Sequence, residues 1–234
     1  MALDFNVILF VVELVLLVPT LLLLVLGRRE ERGRNDLLMR ITSMVKIVSR
    51  QEYFNSLHAS MQKATKSIFG IITGSKPRTK EEEELVQGIV EGIHGAANRG
   101  TSIKYLIPKF QDRLCIAFLY KQAGAEIKFH PGLVVSDLRY AVVDRKNVIL
   151  GLPVAVGQDQ PTREGFMIPS EALSEILLAQ FEEKWMTGIG YDDYLREVLE
   201  EVKTHNPNVS DKVLSNQLQI PETEFVRVSA RKKR

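Results

Sequence analysis

The sequence predicts an α/β domain, a sandwich of a mixed β-sheet flanked by helices, carried behind one N-terminal transmembrane helix. Three observations predict it. Between Glu52 and Gly188, apolar runs of strand length alternate with amphipathic helical stretches. Residues 136–153, SDLRYAVVDRKNVILGLP, read as two buried strands joined by a turn at Arg145-Lys146-Asn147, and strands so joined are antiparallel, which makes the sheet mixed. Upstream, from Val7 to Leu26, VILFVVELVLLVPTLLLLVL has only Glu13, Pro19 and Thr20 outside the apolar class.

That run is 20 residues long, and as a helix it reaches about 30 Å, the depth of a bilayer core. Glu13 costs about 3 kcal/mol near mid-bilayer, which the apolar residues outweigh on the insertion scale. A cleaved signal peptide fits less well, because no basic segment precedes the run and no small-residue cleavage site follows. MALDFN lacks Lys and Arg, whereas GRREERGR supplies Arg28, Arg29, Arg32 and Arg34, so the bulk of the chain is expected on the cytoplasmic side of a single span. Glu13 reads as a helix-contact residue.

The expected organisation is an anchor with its basic flank over 1–34, an amphipathic linker helix over 35–51, the α/β domain over 52–189 and a helical, basic extension over 190–234. In the linker, Leu37, Leu38, Ile41, Met44, Val45 and Val48 form one stripe behind an Asn35 or Asp36 cap. That stripe suits either a dimerising or membrane-skimming helix or one packed on its own domain.

The domain opens with the helix YFNSLHASMQKAT, the strand SIFGIIT, the turn GSKPRTK and the capped acidic helix TKEEEELVQGIVEGIHGAANRG. The strand TSIKYLIP follows, then KFQDRLCIAFLYKQAG as a helix ended by Gly124, the strand AEIKFHP and the hairpin. The strand GFMIPS and the helix EALSEILLAQFEEKWMTG close it, with Leu173, Ile176, Leu177, Phe181 and Trp185 on the apolar side.

Composition narrows the chemistry. The 234 residues carry 31 basic and 29 acidic side chains, net +2, so affinity for a polyanion has to come from local clusters. Lone Cys115, in an apolar helical pattern, reads as a small core residue and excludes an intrachain disulfide. His58, His94, His130 and His205 are scattered without zinc-ligand spacing, so neither a metal nor a cofactor is expected.

The order of elements, the Ala-Ala-Asn-Arg-Gly turn, the Ala-Gly before the third strand, the motif at 137–144 and the F-x-x-x-W pair Phe181 and Trp185 resemble one half-domain of the phospholipase D superfamily over roughly 52–188. In that family the motif is H-x-K-x-x-x-x-D followed by Gly-Ser-x-Asn. Here the matching residues are Asp137, Arg139 and Asp144, followed by Gly151-Leu152-Pro153. The resemblance implies a histidine nucleophile, which this chain lacks at the motif. Asp137, with an ordinary pKa of about 3.9, repels the phosphate it would attack. A non-catalytic descendant is therefore expected over an enzyme. Asp137, Arg139 and Asp144 are the expected ligand-binding residues for an anionic small molecule, or else an internal ion-pair network. His130 reads as a strand-end residue. Half-domain members pair two chains, which implies a homodimer.

Beyond Trp185, YDDYLREVLEEVKTH, DKVLSNQL and a helix opened by Pro221-Glu222 follow. Their spacing resembles a helix-turn-helix with Leu214, Leu218, Ile220 and Phe225 as its core, and regulators of the TrmB family join such a module, in the reverse order, to a degenerate phospholipase D-like sensor. An extra helical pair or a disordered basic tail is the favoured reading. Arg227, Arg231, Lys232, Lys233 and Arg234 are the candidate contacts to nucleic acid or a partner. The leading expectation is thus a membrane-anchored, cytoplasm-facing, silent dimer. A membrane-bound phosphodiesterase and a tethered DNA-binding regulator are the alternatives.

Overall fold

The computed structural model describes residues 46–134, 139–152 and 164–230. The span expected from Val7 to Leu26, most of the linker, Asp137 and the terminal Arg231, Lys232, Lys233 and Arg234 lie outside them. Among the described residues no helix is long and apolar enough to cross a membrane.

The elements run β1 (Lys46–Ser49), α1 (Arg50–Lys63), β2 (Ser67–Ile71), α2 (Lys80–Asn98), β3 (Ser102–Pro108), a 3-10 turn (Gln111–Arg113), α3 (Leu114–Gln122), β4 (Glu126–His130), β5 (Arg139–Val143), β6 (Asn147–Leu152) and β7 (Glu164–Pro169). Then come α4 (Glu171–Thr187), β8 (Ile189–Gly190), α5 (Tyr191–His205), α6 (Asp211–Leu218) and α7 (Glu222–Ala230). The described strands form one eight-stranded sheet in the order β1-β7-β6-β5-β2-β3-β4-β8. β2, β3 and β4 are parallel, joined through α2 and α3, and the other pairings are antiparallel. The mixed sheet expected from the hairpin is present.

Two expectations need correction. The linker helix does not run to Arg50: Lys46–Ser49 is a strand, paired antiparallel with β7 from Lys46 opposite Met167 to Ser49 opposite Glu164. The adjacent β-branched Ile47 and Val48 suit a strand, and an open sheet edge supplies backbone partners that a local helical stripe cannot reveal. On α4, Ile176 is 67% exposed. Ser174, Leu177, Leu178 and Phe181 make the buried stripe instead, at i, i+3, i+4 and i+7.

Strand alternation sorts β5 between the two faces. Ala141 and Val143 join the larger core, with Leu57 and Met61 of α1, Ile89 and Ile93 of α2 and Ile116 of α3. Tyr140 and Val142 pack on the opposite side with Leu177, Leu178 and Phe181 of α4, and the Tyr140 hydroxyl donates to the Leu177 carbonyl at 2.9 Å. Phe181 stacks on Trp185 at 5.3 Å between ring centroids.

The C-terminal helices share the larger core through Leu195, Val198, Leu214, Ile220, Phe225 and Val228. A four-residue charge network fastens them. Arg227 donates to Asp192 at 3.0 Å and to Glu224 at 2.7 Å, and Lys121 of α3 reaches the same carboxylates at 2.9 and 3.1 Å. The hydrogen bonds from Arg227 hold the Asp192 carboxyl far below its ordinary range against the opposing effect of burial, and Glu224 is lowered for the same reasons. Arg227, expected to face a partner, is thus engaged within the fold. Cys115 is half-buried, its thiol 3.6 Å from Gln219 in the turn between α6 and α7, and burial raises its pKa.

Candidate anion-binding cavity

The parallel strands β2 and β3 end at one edge of the domain, and the chain returns there to begin β5. A cavity of about 380 Å³ opens at that place. In open α/β sheets, the crevice beyond the carboxyl ends of parallel strands is the usual ligand position. The loop after β2 contributes Lys76 and Arg78, the turn after β3 contributes Asp112 and Arg113, and β5 contributes Arg139.

Arg139 is buried at 7% exposure. It belongs to the face of β5 that carries Ala141 towards the helices. Burial lowers its pKa, the neighbouring Tyr53 acts in the opposite sense, and the like charge of Arg113 lowers it further. Arg113 is also buried; its Nε lies 3.4 Å from Asp112, whose side chain is 60% exposed. Two guanidinium groups therefore share one low-dielectric recess. A guanidinium keeps its charge in proteins, so both groups are cationic at neutral pH. Across the described cavity lining, Lys76, Arg78, Arg113 and Arg139 stand against Glu82 and Asp112, four positive charges to two negative.

Tyrosines complete the polar wall. Tyr53, Tyr105 and Tyr120 line the cavity. Burial pushes Tyr53 up to about 12 and raises Tyr105 and Tyr120 as well, so all three are neutral donors at neutral pH. The Tyr105 hydroxyl is buried without a hydrogen-bond partner among the described residues. Two glycines let these rings lie against the sheet. A Cβ on Gly165 of β7 would sit 2.2 Å from the Tyr53 ring, and one on Gly70 of β2 would sit 2.7 Å from the Tyr140 carbonyl and 3.2 Å from the Tyr105 ring. The remaining wall is apolar, with Phe54, Leu57, Met61, Ile89 and Ile116 from α1, α2 and α3.

Asp144 does something else. It follows β5, with φ 52° at Asp144 and 58° at Arg145, the left-handed pair that turns the hairpin. Its carboxylate accepts from the backbone N–H of Thr65 at 3.0 Å, Lys66 at 2.8 Å and Ser67 at 2.9 Å, and from the Thr65 hydroxyl at 3.2 Å. Burial opposes ionisation, but these bonds win and lower its pKa. Asp144 ties the hairpin turn to the start of β2. Arg139 lies at the other end of β5, about 15 Å away at strand rise, so the two motif charges that are described do not meet.

His130 ends β4 away from the cavity. Its Nδ1 accepts from the Gly132 N–H at 3.1 Å, which leaves Nε2 as the protonated nitrogen, 3.1 Å from the Thr187 hydroxyl. Burial and the nearby Lys184 lower its pKa, which favours this neutral form. None of the four histidines lines the cavity. The described lining therefore offers cations and neutral donors, with Glu82 and Asp112 as its carboxylates. Among the described residues no group of His, Cys, Asp and Glu side chains is arranged to hold a metal.

The motif singled out Arg139, which lines the cavity, whereas Arg113 and the three tyrosines drew no notice in the sequence. Arg113 sits in KFQDRLCIAFLY, where its neighbours read as a helix start, and each tyrosine falls in an apolar stripe that reads simply as core.

No family model matches the chain, and no curated protein matches it. Solved structures similar to it include Nuc, a phospholipase D family member from Salmonella typhimurium, at 15% identity and TM-score 0.49, covering 63% of this chain and 97% of that one. NucT from Helicobacter pylori is similar at 14% identity and TM-score 0.48, covering 62% and 98%. TrmBL2, an archaeal chromatin protein described as having a novel mode of DNA binding, is similar at 16% identity and TM-score 0.45, covering 70% and 63%.

Proposed function

We propose that this chain is a phospholipase D-like half-domain that has kept an anion-binding recess and lost phosphodiester cleavage. The observation that carries the reading is the burial of Arg139, the motif residue in the family's lysine place, beside a second buried guanidinium, Arg113, in one cavity. Charge-assisted hydrogen bonds from paired arginines are the strong means of holding an oxyanion. Cleavage needs a nucleophile and a proton donor that titrate near neutral pH, and the described lining supplies neutral phenols instead.

The apolar run from Val7 to Leu26 and the arginines that follow support attachment to the cytoplasmic face of a membrane. A single motif per chain supports a homodimer. In the full-length protein held in lipid nanodiscs, inorganic phosphate or sulfate binds by calorimetry, and Arg139→Gln weakens that binding at least tenfold. A chromogenic phosphodiester is not turned over in the presence of a chelator. Turnover that Asp137→Ala abolishes overturns the silent reading, and wild-type affinity in Arg139→Gln overturns the recess.

A further inference from the structure

The cavity lining combines two kinds of side chain, and anion binding uses only one. Arg113, Arg139 and Tyr105 contribute polar groups, while Leu57, Met61, Ile89 and Ile116 contribute apolar groups from three helices. A small hydrated oxyanion engages only the first kind. The cavity's volume of about 380 Å³ lies at the low end of small-molecule sites, about 300 to 1,000 Å³, the scale of a ligand with one hydrocarbon chain.

Resting on the anion-binding reading above, we infer that the cavity binds a single-chain amphiphile whose anionic head, a carboxylate or phosphate monoester, lies against Arg113 and Arg139 while its chain lies along α1, α2 and α3. Tyr105 adds a phenol to the lining whose hydroxyl has no hydrogen-bond partner among the described residues. The loop bearing Lys76 and Arg78 lines the cavity as well, which gives the described lining an excess of positive charge that favours an anionic head.

The full-length protein in nanodiscs is tested with a photoactivatable diazirine palmitate, and labelled peptides are mapped by mass spectrometry. Labelling is expected on α1 and α2, around Met61 and Ile89. Palmitate and hexadecyl phosphate compete separately, which distinguishes the two head groups. Competition by shorter carboxylates weakens steeply, by up to roughly fourfold per methylene removed. Arg139→Met reduces labelling more than tenfold, and Arg139→Lys retains most of it. If acetate or inorganic phosphate competes as well as palmitate, the amphiphile inference fails and the anion recess stands. Labelling that hexadecanol blocks equally and Arg139→Met leaves untouched overturns both. Labels confined to other parts of the chain overturn the amphiphile inference, and phosphate calorimetry then decides the recess alone.

Discussion

Arginine is placed in two contrasting settings in this molecule. Arg227 sits between Asp192 and Glu224, with Lys121 sharing the same carboxylates, and its pKa is raised by those partners. Arg139 sits in a cavity where burial and Arg113 lower its pKa. One guanidinium is stabilised in its charged form by the fold, and the other is held there at a cost. Partly buried charges that close on each other make a structural clasp, whereas a recess that gathers like charges suits the external anion proposed above.

The largest test is to open the clasp. Asp192→Ala leaves Arg227 and Lys121 facing only Glu224 and is expected to lower unfolding free energy by about 3 kcal/mol in urea denaturation. A change below about 0.5 kcal/mol would show that solvent replaces the pair. The same network sets an acid limit. The Asp192 and Glu224 carboxyls are depressed in the fold, so their stabilisation is complete above the unfolded values near pH 4 and is lost as pH falls through the depressed ones. Thermal midpoints should therefore drop steeply from about pH 4 downwards, and less steeply in Asp192→Ala.

Asp144→Ala comes next. It strips three backbone N–H groups of their acceptor and puts alanine at φ 52°. A loss of about 2 kcal/mol is expected, and Asp144→Asn should recover part of it. Arg139→Met has the smallest effect on stability and the most informative sign. It exchanges a cation disfavoured by burial for an apolar side chain, so the unfolding midpoint is expected to stay within about 1 kcal/mol of wild type or to rise. Arg227→Met, by contrast, is expected to be clearly destabilising.

The alternation of apolar runs was enough to give β2 to β7 and the mixed character of their sheet, because these depend on local period. What escaped depends on distant partners. Asp144 looks like a buried motif charge until the backbone of Thr65 to Ser67, 77 to 79 residues away, supplies its donors. β1 was hidden inside a helical stripe because its identity comes from the edge of β7. The cavity was invisible for a related reason. Tyr53, Tyr105 and Tyr120 have the spacing of core residues, and a space among them leaves no trace in the pattern of the chain.

Gly165 gives that space a further consequence. It lies on β7, outside the cavity wall, yet the Tyr53 ring rests where its side chain would be. A side chain there would displace that ring, so the shape of the recess depends on a residue that does not line it.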